Sequence, residues 1–555
     1  NKPSPNGAHE SRGSSAERHS SPLLNRSLAD FWDGCHGPKE KKSDMKPPLS
    51  PATAPSRHIP NIHRLALPAI LIAAVFTLLT GCMRVGPDYV KPTPETPSAW
   101  RTTSDPAVTP GKDIVRYWWT VFDDPLLTRL IGEADSGNLE LKTAVARIKQ
   151  ARAQIGVVAG ELYPQVNATG SATHQRPSEN TATSYGISAY NDMSVGLGAS
   201  WELDLFGRVS RSVEAATADL EAAQEDRTDV MVSLYSDVAR NYLTLRAAQA
   251  RMTATLGNIE SQKQILDLTK LRFQYGLASE LDVSQAENVL ATSESQVPPL
   301  REEISKSTNA ISILLGKPPG RLCDELLETK PIPAAPASVT VGVPADVLRQ
   351  RPDIRRAERK LAAQTARIGI ATADLYPRFS LIGSFGFEAE NGGDLFQWGS
   401  RMFSLGPSMT WNIFNAGSVR SQIKVQDALT EQALLSYEQT VLNAVGEVED
   451  SLSSYIEGRN RVAALQRSVA ASNRTLELAI RLYKEGLTNF QDVLDAERTV
   501  FDSENQLAVA QGTIAISFVQ VYKALGGGWD PNQPQPPVEP GGMGAPAAPG
   551  DGRPS

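Results

Sequence analysis

Between residues 193 and 205 the chain alternates without a fault. Met193, Val195, Leu197, Ala199, Trp201, Leu203 and Leu205 fall on one parity, and small, polar or acidic residues fall on the other. A period of two over this length predicts a strand with one greasy and one wet face. Residues 379–387 and 403–413 repeat the alternation, and 164–172 repeats it more weakly. All four approach or exceed the roughly 9–11 residues of a tilted strand that crosses a bilayer. A half-buried sheet in a soluble sandwich shows the same pattern. Aromatic residues near the strand ends, Trp201, Trp411, Phe387 and Phe403, together with the export signal described below, favour a lipid-facing barrel. Four strands cannot close a barrel with a usable lumen, so the barrel is expected to be shared between chains.

Elsewhere the period changes from two to between three and four. From 209 to 275 there is no proline, and apolar or small residues recur near a 3.5 spacing. A helix of that length spans about 100 Å, a coiled-coil-like rod rather than part of a globular domain. Residues 418–484 repeat the pattern, and returning helices are expected over 279–315 and 489–525. Val297-Pro298-Pro299-Leu300 must kink or break the first return helix, and a small side domain could pack at that level.

The two halves share one plan. Trp201 and Trp411, Gly276 and Gly486, Asp282 and Asp492, and Leu315-Gly316 and Leu525-Gly526 all stand about 210 residues apart. The triplets Leu162-Tyr163-Pro164 and Leu375-Tyr376-Pro377 are spaced slightly wider, which places a short indel between that landmark and the tryptophan. Each half reads helix, strand, strand, long helix, turn, helix. The expected domains are an upstream extension and signal peptide (1–81), an N-terminal segment (82–124), a first repeat (125–315), a linker (316–344), a second repeat (345–528) and a disordered Pro/Gly-rich tail (529–555).

The export signal consists of Arg57, His58, His63 and Arg64, an apolar run over 65–79, and Thr80-Gly81-Cys82. The run is shorter than the ~20 residues of a spanning helix, and Pro68 interrupts it. Leu79-Thr-Gly-Cys82 resembles a bacterial lipobox, in which the cysteine takes a diacylglycerol and becomes the new N-terminus. Cys82 is therefore the expected lipidation site, residues 1–44 read as upstream sequence, and Met45 as the true start. Processing there removes five of six histidines and leaves His174, with Cys82 and Cys323, too few for a His-rich metal site. Cys323 reads as a structural or surface thiol.

With 62 acidic against 55 basic residues and 41% apolar residues, the composition is neither that of a polytopic helical membrane protein nor that of a chain that wraps phosphates. No phosphate loop is present, and a Ser-His-Asp centre would have to be built from His174 alone. No enzyme activity, cofactor or metal is expected.

Each hairpin ends in a related turn, 273–285 and 483–495. Gly276 and Gly486 suit the left-handed position that closes a helix, and Ser279 and Asn489 suit N-caps. Asp282 and Asp492 fall at the capping-box position. Capping alone could explain both aspartates. Several copies around a tube would equally place a carboxylate ring at its constricted end and bias it toward cations. Asp495 is less easily assigned to capping and is the better pore candidate.

These residues carry a resemblance. Cys82, Val85-Gly-Pro-Asp-Tyr89, both Leu-Tyr-Pro triplets, the run Pro344-Ala-Asp-Val-Leu-Arg-Gln-Arg-Pro-Asp-Ile354 and the two tips resemble the TolC-like outer-membrane factors, closest to the OprM/NodT-type efflux lipoproteins, over essentially 82–528. The resemblance implies a mixed α/β membrane protein: a homotrimer whose 12-stranded barrel, four strands per chain, continues into a long periplasmic helical barrel. It implies docking onto a periplasmic adaptor and an inner-membrane RND transporter, a lipid-anchored place in the outer membrane, and a passive gated duct. Asp492 and Asp495 match the family's constricting ring, and Tyr483 and Asp282 match partners in its inter-helix latch. Gly276, Leu277, Gly486 and Leu487 match the tip surface that meets the adaptor. Thr488 stands where TolC has an arginine, so this latch lacks one charged link of that version.

The rivals are an exit duct for type I protein secretion or heavy-metal efflux, and, in a different class, a periplasmic adaptor lipoprotein. The lipobox and the 344–354 run argue against type I secretion, while the single mature histidine and few methionines offer no obvious metal relay. An adaptor would have one hairpin between β modules and no amphipathic membrane strands.

Overall fold

The computed structural model describes residues 83–94, 97–111, 116–178, 180 and 189–529. The signal segment, Cys82, the side chain of Cys323 and residues 530–555 lie outside the described residues. The described residues all belong to one compact unit, Ala73–Ser555.

In chain order the elements are β1 (Val108–Pro110), α1 (Pro125–Gly137), α2 (Leu139–Gly160), β2 (Gln165–Gln175), β3 (Tyr190–Leu203), α3 (Arg208–Gln274), α4 (Glu280–Glu294) and α5 (Val297–Leu314). There follow β4 (Val339–Val341), α6 (Pro344–Gln350), α7 (Pro352–Ala373), β5 (Arg378–Ala389), β6 (Arg401–Thr410), α8 (Ser418–Glu485) and α9 (Phe490–Ala524). The order helix, strand, strand, long helix, returning helix thus occurs twice.

The proline-free stretches form α3 and α8, of 67 and 68 residues. The first return helix breaks where the prolines required it. Val297 opens α5 with proline in its first turn, where the missing N–H has no intrahelical partner to lose. The second return helix, lacking such prolines, runs unbroken as α9.

β2, β3, β5 and β6 form one antiparallel sheet in that order. The register keeps greasy positions together: Val195 lies opposite Gly170 and Phe387, Leu197 opposite Ala168 and Phe385, and Leu381 opposite Trp201 and Pro407. On the other parity Ser171 bonds Ser194, and Ser384 bonds Ser404, through their hydroxyls at 2.9 and 2.8 Å. Leu197, Phe385, Phe403, Leu405 and Met409 are exposed, so the greasy face is uncovered within one chain. Two strand ends differ from expectation. β3 stops at Leu203 and β6 at Thr410, short of residues 205 and 413. β6 is an edge strand, and among the described residues nothing pairs with its outer side.

The main core lies beside the middle of the helices. Trp118, Trp119 and Phe122 occupy a short 3₁₀ turn and pack against Tyr235, Phe518 and Tyr522, with ring centroids 5.1–6.4 Å apart. Against this cluster sit β1 and β4, paired in parallel, and the helical turn Cys323–Leu326. The stretch 316–344 is therefore more than a linker. This side assembly packs around Ile311 and Leu315, at the far end of α5 from the proline break, not at the break itself.

Two sequence runs find structural explanations. The Arg211 side chain is 2% exposed; it donates to Val85 O and Gly86 O and pairs with Asp88 at 2.7 Å, clasping the N-terminal segment onto the start of α3. Gly86, at φ +88°, lies so close to Gly369 that a Cβ would come within 2.5 Å of its Cα. Arg84 packs on Gly207, which puts the residues just after Cys82 at the junction of β3 and α3. In the 344–354 run, Arg351 links three elements: it donates to Ala524 O at 2.6 Å, and pairs with Asp353 at 2.7 Å and Glu447 at 2.8 Å.

Candidate functional site

The candidate site is the pair of helix turns at the end remote from the sheet. Gly276 and Gly486 both take φ +73°, where a side chain would be strained. Around them the Leu277 N–H donates to Arg272 O and the Leu487 N–H to Leu482 O, the long bond of a helix-closing Schellman turn. Leu277 and Leu487 project into solvent, 66% and 70% exposed.

The next helix starts differently in each tip. At the first, Ser279 and Asp282 form a complete capping box: the Asp282 N–H donates to Ser279 Oγ at 3.2 Å, and the Ser279 N–H donates to Asp282 Oδ2 at 2.8 Å. At the second, Asn489 Oδ1 accepts the Asp492 N–H, but the Asp492 carboxylate accepts from the Thr488 hydroxyl instead of the backbone. Thr488, in place of a charged link, thus holds an acid. Asp495 accepts from Gln491 Nε2 at 2.9 Å, lies 3.7 Å from Arg498, and is 61% exposed. It caps nothing, and within one chain its carboxylate is held only by its own helix.

Tyr483 is buried, and its cross-hairpin partner is a residue the sequence reading passed over. The Arg272 guanidinium stacks 4.4 Å from the centre of the Tyr483 ring, and its Nη1 donates to Tyr483 O at 2.9 Å. The link ties the end of α3 to the end of α8. Phe490 packs on the other side of the tyrosine, 5.4 Å away. Burial pushes the Tyr483 phenol up, the nearby Asp282 charge adds to this, and Thr269 and Arg272 oppose it. The hydroxyl itself is buried without a hydrogen-bond partner; Thr269 beside it spends its own proton on Ile265 O. The tip thus brings Tyr483, Arg272 and Asp282 together, while Asp492 and Asp495 bond elsewhere. A basic residue in the last turn of α3 was the available signal, but the equivalent position in α8 is Leu482, so the repeat gave no emphasis to it.

A buried acid lies about two turns along α9 from its start at the tip. Glu497 is 4% exposed, its Oε1 has no partner, and burial alone pushes its carboxyl up to about 7. Val493, Ala496 and Val500 flank it on α9, and the tip cluster of Ile265, Leu266 and Val289 packs at this level.

Among the described residues no helix is long and apolar enough to cross a membrane. The exposed greasy face of the four-stranded sheet is the feature that asks for lipid. A family model described as "Outer membrane efflux protein" matches residues 130–317 and 343–527, the two halves in turn. The chain belongs to the outer membrane efflux protein family. It is 32% identical over 467 residues to the toluene efflux pump outer membrane protein TtgC of Pseudomonas putida, covering 82% of this chain and 95% of that one. It is 29% identical over 466 residues to the cation efflux system protein CusC of Escherichia coli, covering 83% and 98%. Among solved structures, the outer-membrane channel OprN superposes with a TM-score of 0.76 at 38% identity, covering 80% of this chain and 99% of that one. The family is one of efflux channels, not of enzymes.

Proposed function

We propose that this outer membrane efflux protein is the passive exit duct of a tripartite RND-type pump, carrying small toxic molecules from the periplasm to the outside. The observation that carries the reading is the unclosed sheet. Four antiparallel strands expose a greasy face and two free edges directly beside helices of 67 and 68 residues. Four strands cannot enclose a lumen, whereas three chains supply twelve, and the long helices would extend the same tube by about 100 Å. In this reading the chain is an internally duplicated protomer of a homotrimer in the outer membrane, with the domain limits given above. Cys82 carries the lipid, and the Arg211 clasp supports this by holding the adjacent residues at the sheet–helix junction.

The tips are the gate and the docking point. Arg272 and Tyr483 hold the two hairpins of a protomer together, and Asp282 shapes the first turn. Three copies of Asp492 and Asp495 form an acidic constriction. Gly276, Leu277, Gly486 and Leu487 present exposed apolar knobs to a periplasmic adaptor. The adaptor opens the gate only by binding the open tips more tightly than the closed ones, and the transporter supplies the energy. Likeness to the toluene pump protein supports organic substrates. Likeness to the cation efflux protein favours metal ions as a second reading.

Expression in a Gram-negative strain stripped of its own exit ducts, together with RND adaptor–transporter pairs, checks this directly. Tolerance to organic toxicants is expected to return, and to fall again when the paired transporter is inactivated. Tolerance restored only toward metal ions would favour the second reading. A protein that reaches the outer membrane and restores neither contradicts export.

A further inference from the structure

The two hairpins of one chain meet along α3 and α9, which run antiparallel. Two contacts fix the register of this seam. A Cβ on Gly512 would fall 2.6 Å from the Ala247 Cβ, and, nearer the tip, Asn258 Nδ2 donates to Glu504 Oε2 at 3.3 Å. Asn473 Nδ2 of α8 reaches the other oxygen of Glu504 at 3.5 Å, so this acid is held by an amide from each hairpin.

Glu497 lies seven residues closer to the tip, two turns along the same face of α9. The register carries it to the level of Gln262, one turn past Asn258 on α3. Both side chains are buried, and Oε1 of each lacks a hydrogen-bond partner. An amide oxygen and a carboxylate oxygen are both acceptors, so neither can satisfy the other. A proton on the carboxyl satisfies both, because the hydroxyl then donates to the amide.

The internal repeat shows that this acid has lost a base. Glu287 of α4 and Lys270 of α3 stand 210 residues before Glu497 and Ile480. In the first hairpin the acid lies in solvent and meets Lys270 at 2.9 Å. In the second it is buried, and isoleucine of the apolar tip cluster replaces the lysine.

The charges on the surrounding helices are turned away or paired. Lys263 of α3 meets Glu294 of α4, Arg474 and Arg481 of α8 meet Glu477, and Arg498 of α9 meets Asp495, all on exposed side chains. Asp267 of α3 is exposed as well. Tyr483 of α8 is buried in the tip cluster, with its phenol pushed up by burial and the Arg272 guanidinium on its ring. Burial alone accounts for the raised Glu497 carboxyl.

We propose that Glu497 and Gln262 form a proton-operated lock between the hairpins: protonated Glu497 donates to Gln262 and keeps the seam dry and the tips closed, whereas the ionised carboxylate draws in water and lets the hairpins part. This rests on the gate reading of the tips and adds what regulates them. The closed state binds the proton more tightly than an open state in which the carboxyl meets water. Closure is therefore favoured most at low pH and weakens as pH rises. With a carboxyl at about 7 in the closed seam and 4.5 in water, the open-to-closed ratio rises about tenfold between pH 6 and pH 8.

Single-channel recording of the full-length lipidated protein, with the pH on the tip side stepped from 6 to 8, reads this ratio. The wild type should open about tenfold more often at pH 8, and Glu497→Gln should show no step. Asp492→Ala/Asp495→Ala should keep the step. Gln262→Leu removes the acceptor, and should open about fourfold more often than the wild type at pH 6 and nearly equally at pH 8. Hydrogen–deuterium exchange over 490–500, corrected for intrinsic rates, follows the seam without current: protection should fall between pH 6 and 8 in the wild type and not in Glu497→Gln. A step that survives in Glu497→Gln, or wild-type protection that does not change with pH, overturns the lock. Gln262→Leu identical to the wild type at pH 6 overturns the pairing, and loosening in exchange without a step in current overturns the link to the gate. A folded trimer that passes no current overturns the duct reading instead, and exchange still decides the lock.

Discussion

Arg272→Ala is expected to move the tips toward the open state by roughly 30-fold, seen as a higher open probability of the channel at rest. Arg272 makes one charge-assisted hydrogen bond, to Tyr483 O at 2.9 Å, and one ring contact at 4.4 Å. The first is worth ~1.5–3 kcal/mol and the second ~0.5–2 kcal/mol when partly desolvated, which sets the combined loss at about 2 kcal/mol. Both contacts cross from α3 to α8, and both are lost if the hairpins part. Lysine at 272 keeps the charge but not the planar fork, and should recover only part of the closed state. Tyr483→Phe is the discriminating control. The phenolic oxygen has no hydrogen-bond partner, so its removal should change gating little, while Tyr483→Ala should resemble Arg272→Ala. If Tyr483→Phe opens the channel as far as Arg272→Ala does, the latch works through the hydroxyl and the guanidinium link is secondary.

The second large effect is one of pH. Glu497 is buried and unpartnered, and its carboxyl is pushed up to about 7 from 4.5. The fold favours the protonated acid. Its contribution to stability is therefore complete below the unfolded-state value near 4.5 and is lost as pH rises through about 7. Between those limits about 3 kcal/mol is at stake. Glu497→Gln, neutral at every pH, should melt close to the wild type at pH 4.5 and clearly above it at pH 8. Thermal melts of the detergent-solubilised protein at the two pH values read the difference directly. A gap between variant and wild type that stays constant with pH would mean that Glu497 acquires a partner in the assembled protein.

The sequence made the repeating elements legible because each carries its own periodicity over many residues. Alternation marked β2, β3, β5 and β6, and the absence of proline with 3/4 spacing marked α3 and α8 to within a residue or two. The tip caps were legible for the same local reason: Ser279 and Asp282, or Asn489 and Asp492, are three residues apart. What escaped was set by distant partners. β1 and β4 are three residues each and pair across nearly half the mature chain, too short for any pattern to declare itself. Arg272 acquires its role only from Tyr483, brought to it by the packing of two hairpins. β6 stops at Thr410, on an edge of the sheet within one chain, and no local pattern in residues 411–413 announced that end. The clasp of Arg211 on Val85, Gly86 and Asp88 explains a motif that the sequence displayed without giving its reason.

As proposed above, copies of this chain jointly enclose a membrane-crossing duct narrowed by acidic tips. Single-channel recording of the purified, lipidated protein in planar bilayers under a salt gradient tests it most directly, with Asp492→Ala/Asp495→Ala beside the wild type. Small, cation-selective openings that lose their selectivity in the double variant are the expected result. A wild type that conducts with selectivity identical to the variant would return both aspartates to purely structural roles; a verified, folded trimer that passes no current at all would contradict the duct itself.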